Sequence, residues 1–93
     1  MLGQTIEVVI NDLYCHKNKC FGRFISWDNT IILAQNYKTK RGWRKYKQSV
    51  IESTFCHELA HCILYHSGNP DWMNEQLVES IAGLLHQYLT TNK

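Results

Sequence analysis

Ninety-three residues, 44% hydrophobic and 19% charged, fit one globular domain, residues 1–93, with a modest core, and exclude a disordered or low-complexity chain. The net charge is only +2, and the apolar runs are a few residues long, too short to span a membrane. The opening stretch "MLGQTIEVVIND" has no basic n-region and too little apolar length for a signal peptide, so the expected compartment is the cytoplasm. The four cysteines are then expected as reduced thiols or metal ligands rather than a disulfide framework.

"TIEVVI", Thr5 to Ile10, is β-branched and apolar and predicts a strand. "NDLYCHKNKC" is rich in Asn, Asp and Lys and predicts a loop. "GRFISWDNTIILAQ" predicts a hairpin, with strands over Phe24 to Trp27 and Thr30 to Ala34 and a turn at Asp28-Asn29. From about Trp43 the period becomes helical: Val50, Thr54, His57, His61, Leu64 and Tyr65 share one face, to about His66. "SGNP" ends that helix, because Gly68 suits the position just past a helix and Pro70 cannot continue one. A second helix is expected from about Trp72 to Leu89, with Leu77, Ile81, Leu84, Leu85 and Tyr88 as its core stripe. The fold class is α+β.

The chemistry is concentrated in "TFCHELAHCI". Residues four apart on a helix sit one turn above each other, so His57 and His61 can aim both imidazoles at one ion. Glu58 is rotated by about 100° and stands beside that ion rather than on it. A zinc-bound water has its pKa lowered to about 7, and a neighbouring carboxylate can take its proton. Spacing alone thus separates two ligands from a base. Uncharged flanks at Phe55, Leu59, Ala60 and Cys62 suit a buried metal helix better than a surface helix with incidental His and Glu.

Two histidines need a third ligand. The second helix offers Glu75 and Glu79. Glu79 is favoured, because a helix entering through "GNPDWMNE" needs about a turn before it runs alongside His61. Glu75 stays the alternative, its bland role being a helix-start acid facing the dipole. Small Ala82 would let the two helices approach closely. Tyr65, His66 and His86 are candidate oxyanion donors, each with an ordinary structural role available. Cys15 and Cys20 with the two histidines would form a closed structural zinc site, but the gap from Cys20 to His57 is far longer than finger spacing. Cys56 and Cys62 are expected to pack as small hydrophobes.

The order H-E-x-x-H, short glycine-containing turn, Glu on the next helix resembles the gluzincin arrangement. "HELAHCILYHSG" followed by "NEQLVESIAGLLHQYL" further resembles the small phage and prophage metallopeptidase-like proteins of the ImmA/IrrE type. "NTIILA" feeding a helix also fits them, and the resemblance covers about residues 22 to 92. It implies a minimal zincin-like core, a three-stranded antiparallel sheet packed on two helices, with zinc held by His57, His61 and Glu79 and Glu58 as the base. The implied activity is a zinc metallopeptidase cleaving a regulatory protein such as a phage repressor. Because zincins lay an edge strand along the cleft, Thr30 to Gln35 is expected as the edge that receives an extended peptide. The alternative from another class is a zinc-stabilised protein- or nucleic-acid-binding module without turnover. The basic run Lys38 to Lys47, with Tyr37, Trp43 and Tyr46 interleaved, could meet nucleic acid or an acidic partner, although a solvated lead-in to the helix is its commoner meaning.

Overall fold

The structure, a computed structural model, describes residues 5–91. In chain order it forms β1 (Glu7–Ile10), α1 (Asp12–Asn18), β2 (Gly22–Ile25), a 3-10 turn (Ser26–Asp28), β3 (Thr30–Leu33), β4 (Asn36–Thr39), β5 (Gly42–Lys45), α2 (Gln48–His66) and α3 (Glu75–Thr91). The class is α+β as expected, but with three helices and two sheets.

The stretch expected as a loop contains α1. Its Asn and Asp residues are helix-start chemistry: the Asn11 side chain accepts the Tyr14 N–H at 3.0 Å, and Asp12 sits in the first turn. Lys19, at φ 53°, ends the helix in the left-handed region. This helix also changes the sheet. With α1 joining them, β1 and β2 stand one strand apart, and β3 fills the gap. The order is β1-β3-β2, with β1 parallel and β2 antiparallel to β3. The three-stranded sheet is therefore mixed rather than wholly antiparallel. The β2–β3 turn does use Asn29 at positive φ, 48°.

The basic run is not the lead-in to a helix. It forms the antiparallel hairpin β4–β5, paired from Asn36↔Lys45 to Thr39↔Gly42. Gly42 has φ 116°, and Thr39 Oγ1 closes the turn by donating to the Gly42 carbonyl and accepting the Arg41 N–H. Helix α2 then starts at Gln48, not near Trp43.

Two hydrophobic clusters meet at Trp72. Phe24, Ile31, Leu33 and Cys62 join the sheet to α2, while Cys56, Ala60, Leu64, Val78 and Ala82 join α2 to α3. The small residues of the second cluster bring the two helices close, with Ala82 buried as anticipated. The stripe of α3 is rotated from the expected one: Val78 and Ala82 are buried, Leu77, Ile81 and Leu85 flank them, and Leu84 and Tyr88 are exposed. Cys56 and Cys62 are buried packing residues. Among the described residues, no helix is long and apolar enough to cross a membrane.

Candidate metal centre

Helix α2 stacks the imidazoles of His57 and His61 with ring centroids 4.9 Å apart. Facing them is Glu75, the first residue of α3. Its carboxylate straddles both rings, with Oε2 3.3 Å from His57 Nε2 and Oε1 3.5 Å from His61 Nε2.

The other nitrogen of each ring is already committed. His61 Nδ1 lies 2.8 Å from the Trp72 carbonyl oxygen, which can only accept, so Nδ1 carries the hydrogen. His57 Nδ1 lies 2.7 Å from Glu79 Oε1, and an ionised carboxylate also only accepts. With Nδ1 of each ring facing an acceptor, Nε2 is the nitrogen turned toward Glu75, and it is the one that offers a lone pair when a metal lies between them.

The trio passes a simple test of fit. Ligand atoms held tetrahedrally at about 2.0–2.1 Å from zinc lie about 3.3 Å from one another. Each Glu75 oxygen lies near that distance from one ring, Oε2 at 3.3 Å from His57 and Oε1 at 3.5 Å from His61, and one ligand atom from each of the three residues lies within 4.8 Å of the others. Two imidazoles and a carboxylate form a donor set that zinc accepts. His57, His61 and Glu75 could thus hold a metal ion, and the geometry does not identify which metal. The Glu75 and Glu79 side chains are about two-thirds exposed, so the centre opens onto solvent.

Glu58 is built differently. Only 8% of it is exposed, and its Oε1 accepts the Phe24 backbone N–H at 2.8 Å. Phe24 lies on β2, an edge of the three-stranded sheet, so this bond ties the motif helix to the sheet. Burial pushes the Glu58 carboxyl above its ordinary range and Glu75 adds to the rise, against the opposing pull of His57, His61 and the Phe24 amide. A cleft of about 460 Å³ runs between β2, α2 and α3, and Gly22, Thr54, His57, Glu58 and Glu79 are on its walls.

The structure therefore brings together His57, His61 and Glu75, with Glu58 buried alongside, and puts Glu79 on the far nitrogen of His57. Cys15 and Cys20 take no part in this group. All four cysteines are free thiols, and burial raises the Cys15 pKa to about 12. Tyr65 belongs to an aromatic cluster with Phe24 and Trp72, and His66 stands against Phe24. His86 reaches the cleft, and its Nε2 is 3.9 Å from Glu52 Oε1. Strand β3 cannot receive a peptide, because β1 and β2 occupy both of its flanks. The strand beside the cleft is β2. Sequence reasoning missed the two backbone groups that serve the site, the Phe24 N–H and the Trp72 carbonyl, since every residue carries such groups.

Comparison with known proteins finds no matching family model, no matching curated protein and no matching solved structure.

Proposed function

We propose that this chain is a zinc-dependent metallopeptidase acting on a regulatory protein, with zinc on His57, His61 and Glu75 and with Glu58 as the general base. The observation that supports it is the convergence of two Nε2 atoms and one carboxylate, with His57 and the buried acid Glu58 both on the wall of a cleft. A zinc ion there supplies Lewis acidity toward a carbonyl oxygen and lowers the pKa of a water. The remaining work belongs to side chains. Glu58 takes a proton and hands it to the leaving nitrogen. The Phe24 N–H occupies Oε1 and fixes the orientation of the carboxylate. The Trp72 carbonyl and Glu79 hold the two imidazoles in the ligating tautomer.

The first test is composition and turnover together. Purified protein should carry about one zinc per chain, as one three-residue site requires. His57→Ala should lose the zinc. Glu58→Gln should keep it and lose cleavage of an unfolded test protein, since an amide cannot take the proton. If Glu58→Gln strips the zinc, the base role is wrong. If zinc-loaded protein cleaves nothing, the reading becomes a zinc-stabilised binding module.

Glu75 and Glu79 are told apart by affinity. A group that only orients a ligating histidine typically costs about 10–100-fold in metal affinity when lost. Glu79→Gln should fall in that range, and Glu75→Gln should cost more. The reverse order would give Glu79 the ligand role.

A further inference from the structure

Away from the metal centre, a second cavity of about 490 Å³ lies between α1, the start of β2 and the β4–β5 hairpin. Lys17, Lys19 and Lys38 are on its walls with Phe21, Tyr37 and Tyr46. We propose that this face binds single-stranded nucleic acid.

Charge is the first support. Nine of the ten Lys and Arg residues lie between positions 17 and 47, where Asp28 is the one acid. The fold gathers many of these cations, because α1 lies against β4. The Asp12 carboxylate on α1 and the Asp28 carboxylate within that span both accept hydrogen bonds from other groups, Asp12 from Gln35 and Asn36, and Asp28 from Thr30. A cationic face of this kind attracts a phosphate backbone.

Aromatic rings are the second support, and they select the type of strand. Tyr37 and Tyr46 lie 4.8 Å apart by centroid, and Phe21 continues the row at 5.4 Å from Tyr46. Phe21, Tyr37 and Trp43 remain 56%, 38% and 43% exposed, so their rings stay open to a ligand. The register pairs each hairpin ring with a cation, Tyr37↔Arg44 and Lys38↔Trp43, and Lys38 Nζ stands 5.5 Å from the Trp43 ring centre. Alternating cations and ring faces match alternating phosphates and bases. Duplex ends apart, base faces are hidden within a duplex, so these rings favour a single strand.

The test uses the full chain and labelled oligothymidylate and oligouridylate of about 16 nucleotides, the upper end of common single-strand site sizes. Fluorescence anisotropy should show both binding more tightly than a duplex of equal length and than polyglutamate of equal charge. Trp43→Phe should remove most of the tryptophan quenching caused by binding. Tyr37→Ala should weaken binding about tenfold, within the range for loss of one stacking ring. Arg41→Glu, at the tip of the hairpin turn, changes charge without touching the packed rings, and should lower affinity and flatten its salt dependence. The proposal is overturned if the single strands do not bind at low salt. It is equally overturned if duplex or polyglutamate binds as well as they do, or if Arg41→Glu leaves affinity unchanged. Should Tyr37→Ala fail to fold, the Trp43→Phe quenching and Arg41→Glu arms still decide.

Discussion

Gly22 shows how one residue can hold the candidate site in shape. A Cβ placed there would stand 2.8 Å from the Ile32 carbonyl oxygen, 2.8 Å from Thr54 Cγ2 and 3.1 Å from Leu33 Cδ2. Two of these neighbours belong to β3 and the third to α2, so no single side-chain movement makes room. Gly22→Ala should therefore force β2 away from α2 and destabilise the protein by about 1–3 kcal/mol, as overpacked cores do. The same shift moves the Phe24 N–H off Glu58. Chemical denaturation measures the first effect, and an unchanged midpoint would show that the strand and helix can part freely. Thr54→Ser in the same background removes the Cγ2 clash but not the carbonyl clash, so it should restore only part of the loss. Nothing in the sequence marks Gly22, because its neighbours Ile32, Leu33 and Thr54 all lie ten or more residues away. His57 and His61 were legible as a facing pair because their relation is local, fixed by the helical repeat. The acid facing both rings is a matter of tertiary placement. Glu75 meets both Nε2 atoms because α3 begins three residues later than the apolar pattern suggests.

That later start is an effect at the scale of elements. Residues Asn69 to Asn74 form successive turns: Asp71 N–H donates to Asn69 Oδ1, and Asn74 N–H donates to the Asp71 carbonyl. Asn74 then caps α3 by accepting the Leu77 N–H on its side chain and the Val78 N–H on its carbonyl. Had the helix begun at Trp72, the Trp72 carbonyl would have bonded within it and been lost to His61. Propensity reads the amphipathic stripe well and the capping turn poorly. The same limit applied to α1, whose Asn-Asp start mimics a loop, and to β4–β5, whose alternation is masked by charge. What joins those two elements is Asp12. Its Oδ1 accepts the Gln35 and Asn36 N–H groups at 2.7 and 3.1 Å, and its Oδ2 accepts the Asn36 side chain at 2.8 Å. Burial alone would raise its pKa, but these hydrogen bonds outweigh it and hold the carboxyl below its ordinary 3.8. A depressed folded pKa means stability that is present above 3.8 and lost as the pH falls through the lower folded value. Asp12→Ala should cost about 1–2 kcal/mol at neutral pH, toward the lower end for charged hydrogen bonds because the group is partly exposed. Below the folded pKa the gap between variant and wild type should narrow. Parallel acid-unfolding curves would show that Asp12 does not carry this linkage.

At the scale of the whole molecule, the two hydrophobic clusters are small and share Trp72, and the candidate metal centre lies where they adjoin. His57 and His61 stand on α2, Glu75 on α3, and the Trp72 carbonyl lies in the turn between them. A metal at this point clips the turn and the start of α3 to a helix that the sheet already holds through Phe24, Ile31, Leu33 and Cys62. A ligand present at 100 times its dissociation constant stabilises the native state by about 2.7 kcal/mol. In a chain of this size that corresponds to a rise in Tm on the order of 10 °C. Chelation should lower Tm by that amount, and His57→Ala should abolish the response to added zinc. The loss should also be local. Amides of residues 72–79 have neighbours supplied mainly by α2 and by the site itself, so their exchange should accelerate first. Amides of β3 are paired on both flanks and should stay protected until global unfolding. Hydrogen exchange with and without chelator measures both regions in one experiment. Uniform acceleration across β3 and α3 would mean that the metal supports the fold as one cooperative unit. No change at 72–79 would remove Glu75 from the coordination sphere, because an ion held by α2 alone has no means of ordering the start of α3.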